Sequence, residues 1–139
     1  MTEEHFATFA KCLRQARFSL TKPRLAVLNA MIGREPISMP ELAKLTKDEL
    51  DRASLYRTIQ LFEKLGVVQR LQTGWKYKLE LSDKFSNHHH HLTCLGCGKV
   101  TPINETELED FIERSAAAND FKTTSHQIEI QGYCSTCVK

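Results

Sequence analysis

Ala53-Ser-Leu-Tyr-Arg-Thr-Ile-Gln-Leu-Phe-Glu-Lys-Leu-Gly66 runs directly into Val67-Val-Gln-Arg-Leu71, Gln72-Thr-Gly74 and Trp75-Lys-Tyr-Lys-Leu-Glu-Leu81, and the hydrophobic period changes at Gly66. Before it, Leu55, Ile59 and Phe62 recur every three or four residues, with Leu65 near the end. That spacing predicts a helix from about residue 53 that Gly66 caps. After it, two short runs of strand-forming residues flank a Gln-Thr-Gly turn, which predicts a β-hairpin.

Upstream, Phe6, Phe9, Leu13 and Ala16 fall at helical spacing and predict a first helix over 5–17. Thr21 is placed to cap a second helix, and Pro23 sits in its first turn, where a missing N–H costs nothing. Leu25, Leu28 and Ile32 form its inner face, and it stops near Gly33. Ser38-Met-Pro-Glu41 is a capping box that opens a short third helix faced by Leu42 and Leu45. Short helices followed by a hairpin are the order of a winged helix-turn-helix, in which the helix before the wing reads DNA. The outward face of that helix offers Ser54, Tyr56, Arg57, Gln60 and Lys64. These side chains suit base edges and phosphates, and they would equally make an ordinary solvated face.

Downstream, the polar residues 82–87 read as a linker. His91-Leu-Thr-Cys94 and Lys99-Val-Thr-Pro-Ile103 read as strands around a Cys-x-x-Cys-Gly knuckle. Thr106 to Ala118 reads as a helix with Leu108, Ile112 and Ser115 on one face, and Gln127 to Gly132 as a half-buried strand. The predicted fold class is α+β: a winged helix over 1–81, a hinge over 82–87 and a small α/β domain with a four-cysteine zinc site over 88–139.

Charge divides along the same line. Of 139 residues, 1–81 carry 14 Lys+Arg against 9 Asp+Glu, a net of +5, whereas 82–139 carry 5 against 8, a net of −3. A basic half beside an acidic, ligand-rich half predicts a polyanion for the first and cations for the second. No apolar run approaches the ~20 residues of a membrane span. The N-terminal residues lack the pattern of a secretory signal, so the expected location is the cytoplasm, without membrane association. Thiols stay reduced there, and paired cysteines read as metal ligands.

Cys94-x-x-Cys97 and Cys134-x-x-Cys137 supply four thiolates, enough to close a tetrahedral structural zinc site. The fifth cysteine, Cys12, sits beside Phe9 and Leu13 on a helix and reads as a packed thiol. His88 to His91 precede the first pair. In a strand, alternate residues share a face at ~6.7 Å spacing, so His88 and His90 face one way and His89 and His91 the other. Each pair needs further ligands. His126 and Glu109 are candidates for one face and Glu80 for the other. A zinc hydrolase or deaminase would need His-Glu-x-x-His or His-x-Glu, and neither occurs, so no catalytic residues are expected.

Taken together, Thr21-Lys-Pro-Arg24, Ser54-Leu-Tyr56-Arg57-Thr58, the His88–Gly98 motif and the terminal Cys-x-x-Cys resemble, in order and over nearly the whole chain, the ferric uptake regulator family. The resemblance implies a dimeric, metal-dependent transcription regulator with an N-terminal winged helix and a C-terminal dimerisation domain, usually repressing metal-uptake genes from a palindromic operator. It implies structural Zn2+ at Cys94, Cys97, Cys134 and Cys137. It groups His88, His90, Glu109 and His126 in the dimerisation domain and Glu80, His89 and His91 as a regulatory set at the hinge. The DNA-contacting candidates are then Arg24, Ser54, Tyr56, Arg57, Gln60 and Lys64.

The chain also departs from the family pattern. Pro36 stands where a further hinge histidine is usual, and Pro102 where a carboxylate often follows the second cysteine. The peroxide-sensing branch depends on that histidine, so its oxidation chemistry is not expected. The cysteine that zinc-sensing members place in the hinge site has no counterpart near residue 84. Three ligands, with water or Glu35 as a fourth, suit tetrahedral Zn2+ better than six-coordinate Fe2+, and both remain candidates for the second ion. The alternatives are a zinc-stabilised DNA-binding dimer that senses no metal, a member of the peroxide-sensing branch, against which the missing histidine counts, and a metal buffer without a DNA role.

Overall fold

A computed structural model describes residues 3–73 and 75–138, and the chain divides between Asn87 and His88 into two compact units. The N-terminal unit begins with α1 (Glu3–Gln15), whose Glu3 and Glu4 at the start and Arg14 at the end complement the helix dipole. In α2 (Lys22–Met31), Thr21 is extended but makes no side-chain cap, and Pro23 presets the first turn. For α3 (Met39–Leu45), both arms of the Ser38–Glu41 capping box form. The cap of α4 (Arg52–Lys64) is Asp51, whose carboxylate accepts from the Ser54 backbone N–H at 2.9 Å and from its hydroxyl at 3.0 Å. The carboxyl is held below its ordinary range by these bonds, the backbone one foremost. Gly66 ends the helix at φ +64°, a conformation that a side chain would strain.

Strands β1 (Val68–Thr73) and β2 (Lys76–Leu81) pair antiparallel from Val68↔Leu81 to Thr73↔Lys76. Gly74 of the expected turn lies outside the described residues. Ile37 extends this sheet, exchanging backbone hydrogen bonds with Leu79 in both directions at 2.8 and 2.7 Å. Phe9, Leu13, Leu28, Leu42, Leu55, Phe62 and Leu79, each at most 1% exposed, form one core. Burial of each such side chain is worth roughly 1.5–3 kcal/mol. Phe85, within the polar stretch 82–87, is buried in the same core and meets Phe9 edge-on at 6.3 Å. Cys12 packs against this core, its thiol directed at the Leu65 carbonyl.

The C-terminal unit has β3 (His90–Cys94), β4 (Val100–Ile103), α5 (Thr106–Ala117) and β5 (Glu129–Gly132), in the sheet order β4-β3-β5. Central β3 is antiparallel to β4 and parallel to β5, so the chain from β4 must cross over through α5 to reach β5. Cys94 and Val100 are the only buried apolar residues of this unit among those described, and α5 buries none of its own. Phe111, Phe121, Ile130 and Tyr133 stand 50–69% exposed. So small a core needs reinforcement from metal or from a partner chain. No helix among the described residues is long and apolar enough to cross a membrane.

Candidate metal centres

Two ligand clusters form within the C-terminal unit. Cys94 ends β3, Cys97 follows in the tight turn to β4, and Cys134 and Cys137 follow β5. Backbone hydrogen bonds hold the knuckle: Leu95 N–H donates to the Gly132 carbonyl at 2.8 Å, Gly98 N–H to that of Cys94 at 2.9 Å and Cys94 N–H to that of Lys99 at 2.8 Å. All four sulfurs lie within 4.8 Å of one another, and Cys97 Sγ is 3.8 Å from Cys134 Sγ. A tetrahedron with ~2.3 Å zinc–sulfur arms has edges of about 3.8 Å, so the donor set fits zinc. Backbone N–H groups, that of Cys134 foremost, hold the Cys94 thiol down at about 6, while the Cys134 side chain leads the neighbours that push Cys137 up to about 12. Four thiols this close cannot all ionise without a cation among them.

Gly96 is a structural requirement that its place in Cys-Leu-Gly-Cys could have signalled. A Cβ there would lie 2.8 Å from Cys137 Cβ and 2.9 Å from its sulfur, so any other residue displaces Cys137.

In the second cluster, the ligand atoms of His88, His90, Glu109 and His126 also lie within 4.8 Å of one another. His90 Nε2 is 2.8 Å and His88 Nε2 3.6 Å from Glu109 Oε1; His126 Nε2 is 2.8 Å from Oε2 and 3.1 Å from His88 Nε2. Zinc arms of 2.0–2.1 Å require neighbouring donors about 2.9–3.4 Å apart between octahedral and tetrahedral geometry; the His88–His126 separation of 3.1 Å falls in that range, the two of 2.8 Å lie just below it and that of 3.6 Å just above. His90 is fully buried, and burial leads the influences that lower its pKa, keeping the ring neutral as a metal ligand must be. The Ile128 N–H donates to its Nδ1 at 3.3 Å, which orients the ring and leaves the proton of the neutral imidazole on Nε2, toward Glu109.

The other two histidines of the run lie together, the His89 and His91 rings 4.7 Å apart, with His91 buried. Glu80, near the end of β2 in the N-terminal unit, is buried and accepts from Gln69 Nε2 at 2.6 Å. Pro102 is the strand partner of His91 on β4.

On α4, Tyr56, Arg57, Gln60 and Lys64 are exposed, and Ser54 is partly drawn into the Asp51 cap. Arg24, half-buried, donates to the Ser19 carbonyl and lies over the Phe18 ring, so part of its hydrogen-bonding capacity is used within the fold. Arg70 on β1 pairs with Glu63 of α4 and stacks on Tyr77 of β2 with its guanidinium 4.4 Å from the ring centroid.

The model of the family described as "Ferric uptake regulator family" matches residues 15–131. A ferric uptake regulation protein from Yersinia pestis is 32% identical over 132 residues, 91% of this chain and 88% of the relative. One from Escherichia coli K12 is 32% identical over 130 residues, 88% and 85% of the two chains. The crystal structure of the Vibrio cholerae ferric uptake regulator, 32% identical, superposes with a TM-score of 0.72 over 91% of this chain and 99% of that one. The Helicobacter pylori regulator shares the fold at 21% identity, with a TM-score of 0.79 over 97% and 92% of the chains.

Proposed function

As the chain belongs to the ferric uptake regulator family of metal-responsive transcription regulators, we propose that it acts as a homodimeric repressor that binds a palindromic operator when its regulatory site holds metal. The observation that carries this reading is the convergence of two separate donor sets, one of four thiols and one of three imidazoles with a carboxylate, in a unit almost without apolar core.

Cys94, Cys97, Cys134 and Cys137 hold structural Zn2+, which supplies the cross-link that so small a unit lacks. His88, His90, Glu109 and His126 hold a second divalent ion. Glu80, His89 and His91, grouped by resemblance, are the regulatory ligands for Zn2+ or Fe2+. Their loading selects the DNA-competent arrangement, a population shift that requires tighter metal binding in that state. The homodimer is supported by the apolar side chains left exposed on β5, after it and on α5, and by the place of β5 at the end of the order β4-β3-β5 among the described strands. In the dimer, two α4 helices present Tyr56, Arg57, Gln60 and Lys64 to successive major grooves, with the basic N-terminal half supplying phosphate contacts.

The test is the double variant His89→Ala with His91→Ala, assayed by gel shift on an operator fragment selected from random duplexes. Loss of metal-dependent binding with the thermal midpoint retained supports the reading. Binding that still responds to metal removes these histidines from the regulatory set.

A further inference from the structure

Trp75 is the only tryptophan of the chain, and at 87% exposure it is the most exposed large apolar side chain among the described residues. It immediately precedes Lys76, which pairs with Thr73 as the last rung of the β1–β2 ladder, so it sits at the tip of the wing. Lys76 Nζ lies 4.6 Å from the centre of its ring, placing a cation on the face of a broad apolar plate.

The wing that carries this pair is fixed to α4. Val67 N–H donates to the Phe62 carbonyl at 2.8 Å immediately after the helix, and Leu71 of β1 is buried at 1% exposure. Arg70 ties β1 to Glu63 of α4 and stacks on Tyr77 of β2. Whatever docks on the exposed face of α4 therefore has the wing tip at a set distance from it.

We propose that Trp75 and Lys76 form a second, sequence-tolerant DNA contact, with the indole against the sugar edges of the minor groove beside the segment faced by α4 and the ammonium on an adjacent phosphate. The proposal rests on the DNA-binding reading above. The minor groove accepts apolar wedges between rows of phosphate, and an indole with an ammonium on its face offers both halves of that surface. The net charge of +5 over residues 1–81 favours a polyanion over a second copy of the chain as the occupant.

Because Trp75 is the sole tryptophan, its fluorescence reports on this contact alone. Metal-loaded full-length protein would be titrated at low salt into a fluorescein-labelled mixed-sequence 40-base-pair duplex, with anisotropy following the DNA and tryptophan emission following the wing. The expected result is emission quenching and loss of acrylamide accessibility in step with the anisotropy rise. Trp75→Ala should weaken binding on the order of tenfold, and Trp75→Phe much less, with thermal midpoints unchanged. A rise in anisotropy with Trp75 emission and accessibility unaltered overturns the proposal and leaves DNA binding standing. No anisotropy rise overturns the DNA-binding reading and this contact with it. An emission change produced by protein concentration without DNA assigns the tip to a protein partner and also overturns the contact.

Discussion

His90 Nε2 on β3 and Glu109 Oε1 on α5 stand 2.8 Å apart, joining a fully buried strand residue to a helix that buries none of its own side chains. The pairing anchors α5 through ligand atoms where apolar packing does not. Glu109→Ala should therefore cost one divalent ion per chain and loosen α5, with the four-cysteine zinc retained. Metal analysis after dialysis reads the first effect and amide hydrogen exchange across 106–117 the second. Unchanged metal content would remove Glu109 from the ligand set.

Gly96→Ala should damage the cysteine site more than its one added carbon suggests, because that carbon meets Cys137 at both Cβ and Sγ. Zinc retention against a chromogenic chelator should fall at least about tenfold, as disturbed ligand shells commonly do. The C-terminal unit should lose hydrogen-exchange protection while the N-terminal core keeps its own. Equal protection loss in both units would contradict this local account.

Ile130→Asp places a charge on β5, the end strand of the order β4-β3-β5, at a residue that is half exposed in the single chain and pairs across the sheet with Leu92. Sedimentation velocity should show a monomer where the parent sediments as a dimer. A parent that is itself monomeric would remove the dimer from the proposal.

Asp51 gives a pH signature. Its carboxyl is held below the ordinary value of 3.8, chiefly by the Ser54 N–H, so the folded state favours the carboxylate. The sign follows from linkage. The contribution is fully present above about pH 4, where the unfolded-state group is also ionised, and is lost as pH falls through the lower folded value. Urea unfolding between pH 5 and 3 should show a steeper loss for the parent than for Asp51→Asn, which retains a capping oxygen but does not titrate. Parallel curves would refute the cap's electrostatic role.

Much of this was legible in the chain. The change of period at Gly66 locates α4 and the hairpin, because a cap and a switch in spacing are local signals. The four cysteines and the alternating histidines stand out as candidate ligands by residue type and spacing, and the fold gathers the cysteines into one cluster and His88 and His90 with Glu109 and His126 into another. What local pattern could not carry is tertiary. Parallel pairing of β3 with β5 depends on a crossover. The Leu108–Ile112 face of α5, which reads as core-facing, is only half-buried in the single chain. Phe85 hides in a polar run because one aromatic among five polar residues has no period to reveal it. Asp51, the α4 cap, carries no periodic signal, because the apolar spacing begins only at Leu55.

On α4, Arg57→Ala should cost roughly 1–3 kcal/mol of operator affinity and relax specificity at the base it faces. Arg70→Ala, although it also removes a cation, should act mainly by freeing the wing from Glu63 and Tyr77. Competition binding between operator and mixed-sequence duplex separates the two, since only the Arg57 variant should lose discrimination. Loss of discrimination in both would place Arg70 at the DNA.

The central claim is that a metal other than the four-cysteine zinc controls DNA affinity. The direct measurement is operator binding by protein treated with a chelator that leaves one zinc per chain, then reloaded with Zn2+ or Fe2+ under anaerobic conditions. The account predicts affinity at least about tenfold tighter on reloading, within the usual range of allosteric coupling, and reversal on renewed chelation. Equal affinity with and without the reloaded metal would contradict it and leave a zinc-stabilised DNA-binding dimer that senses no metal.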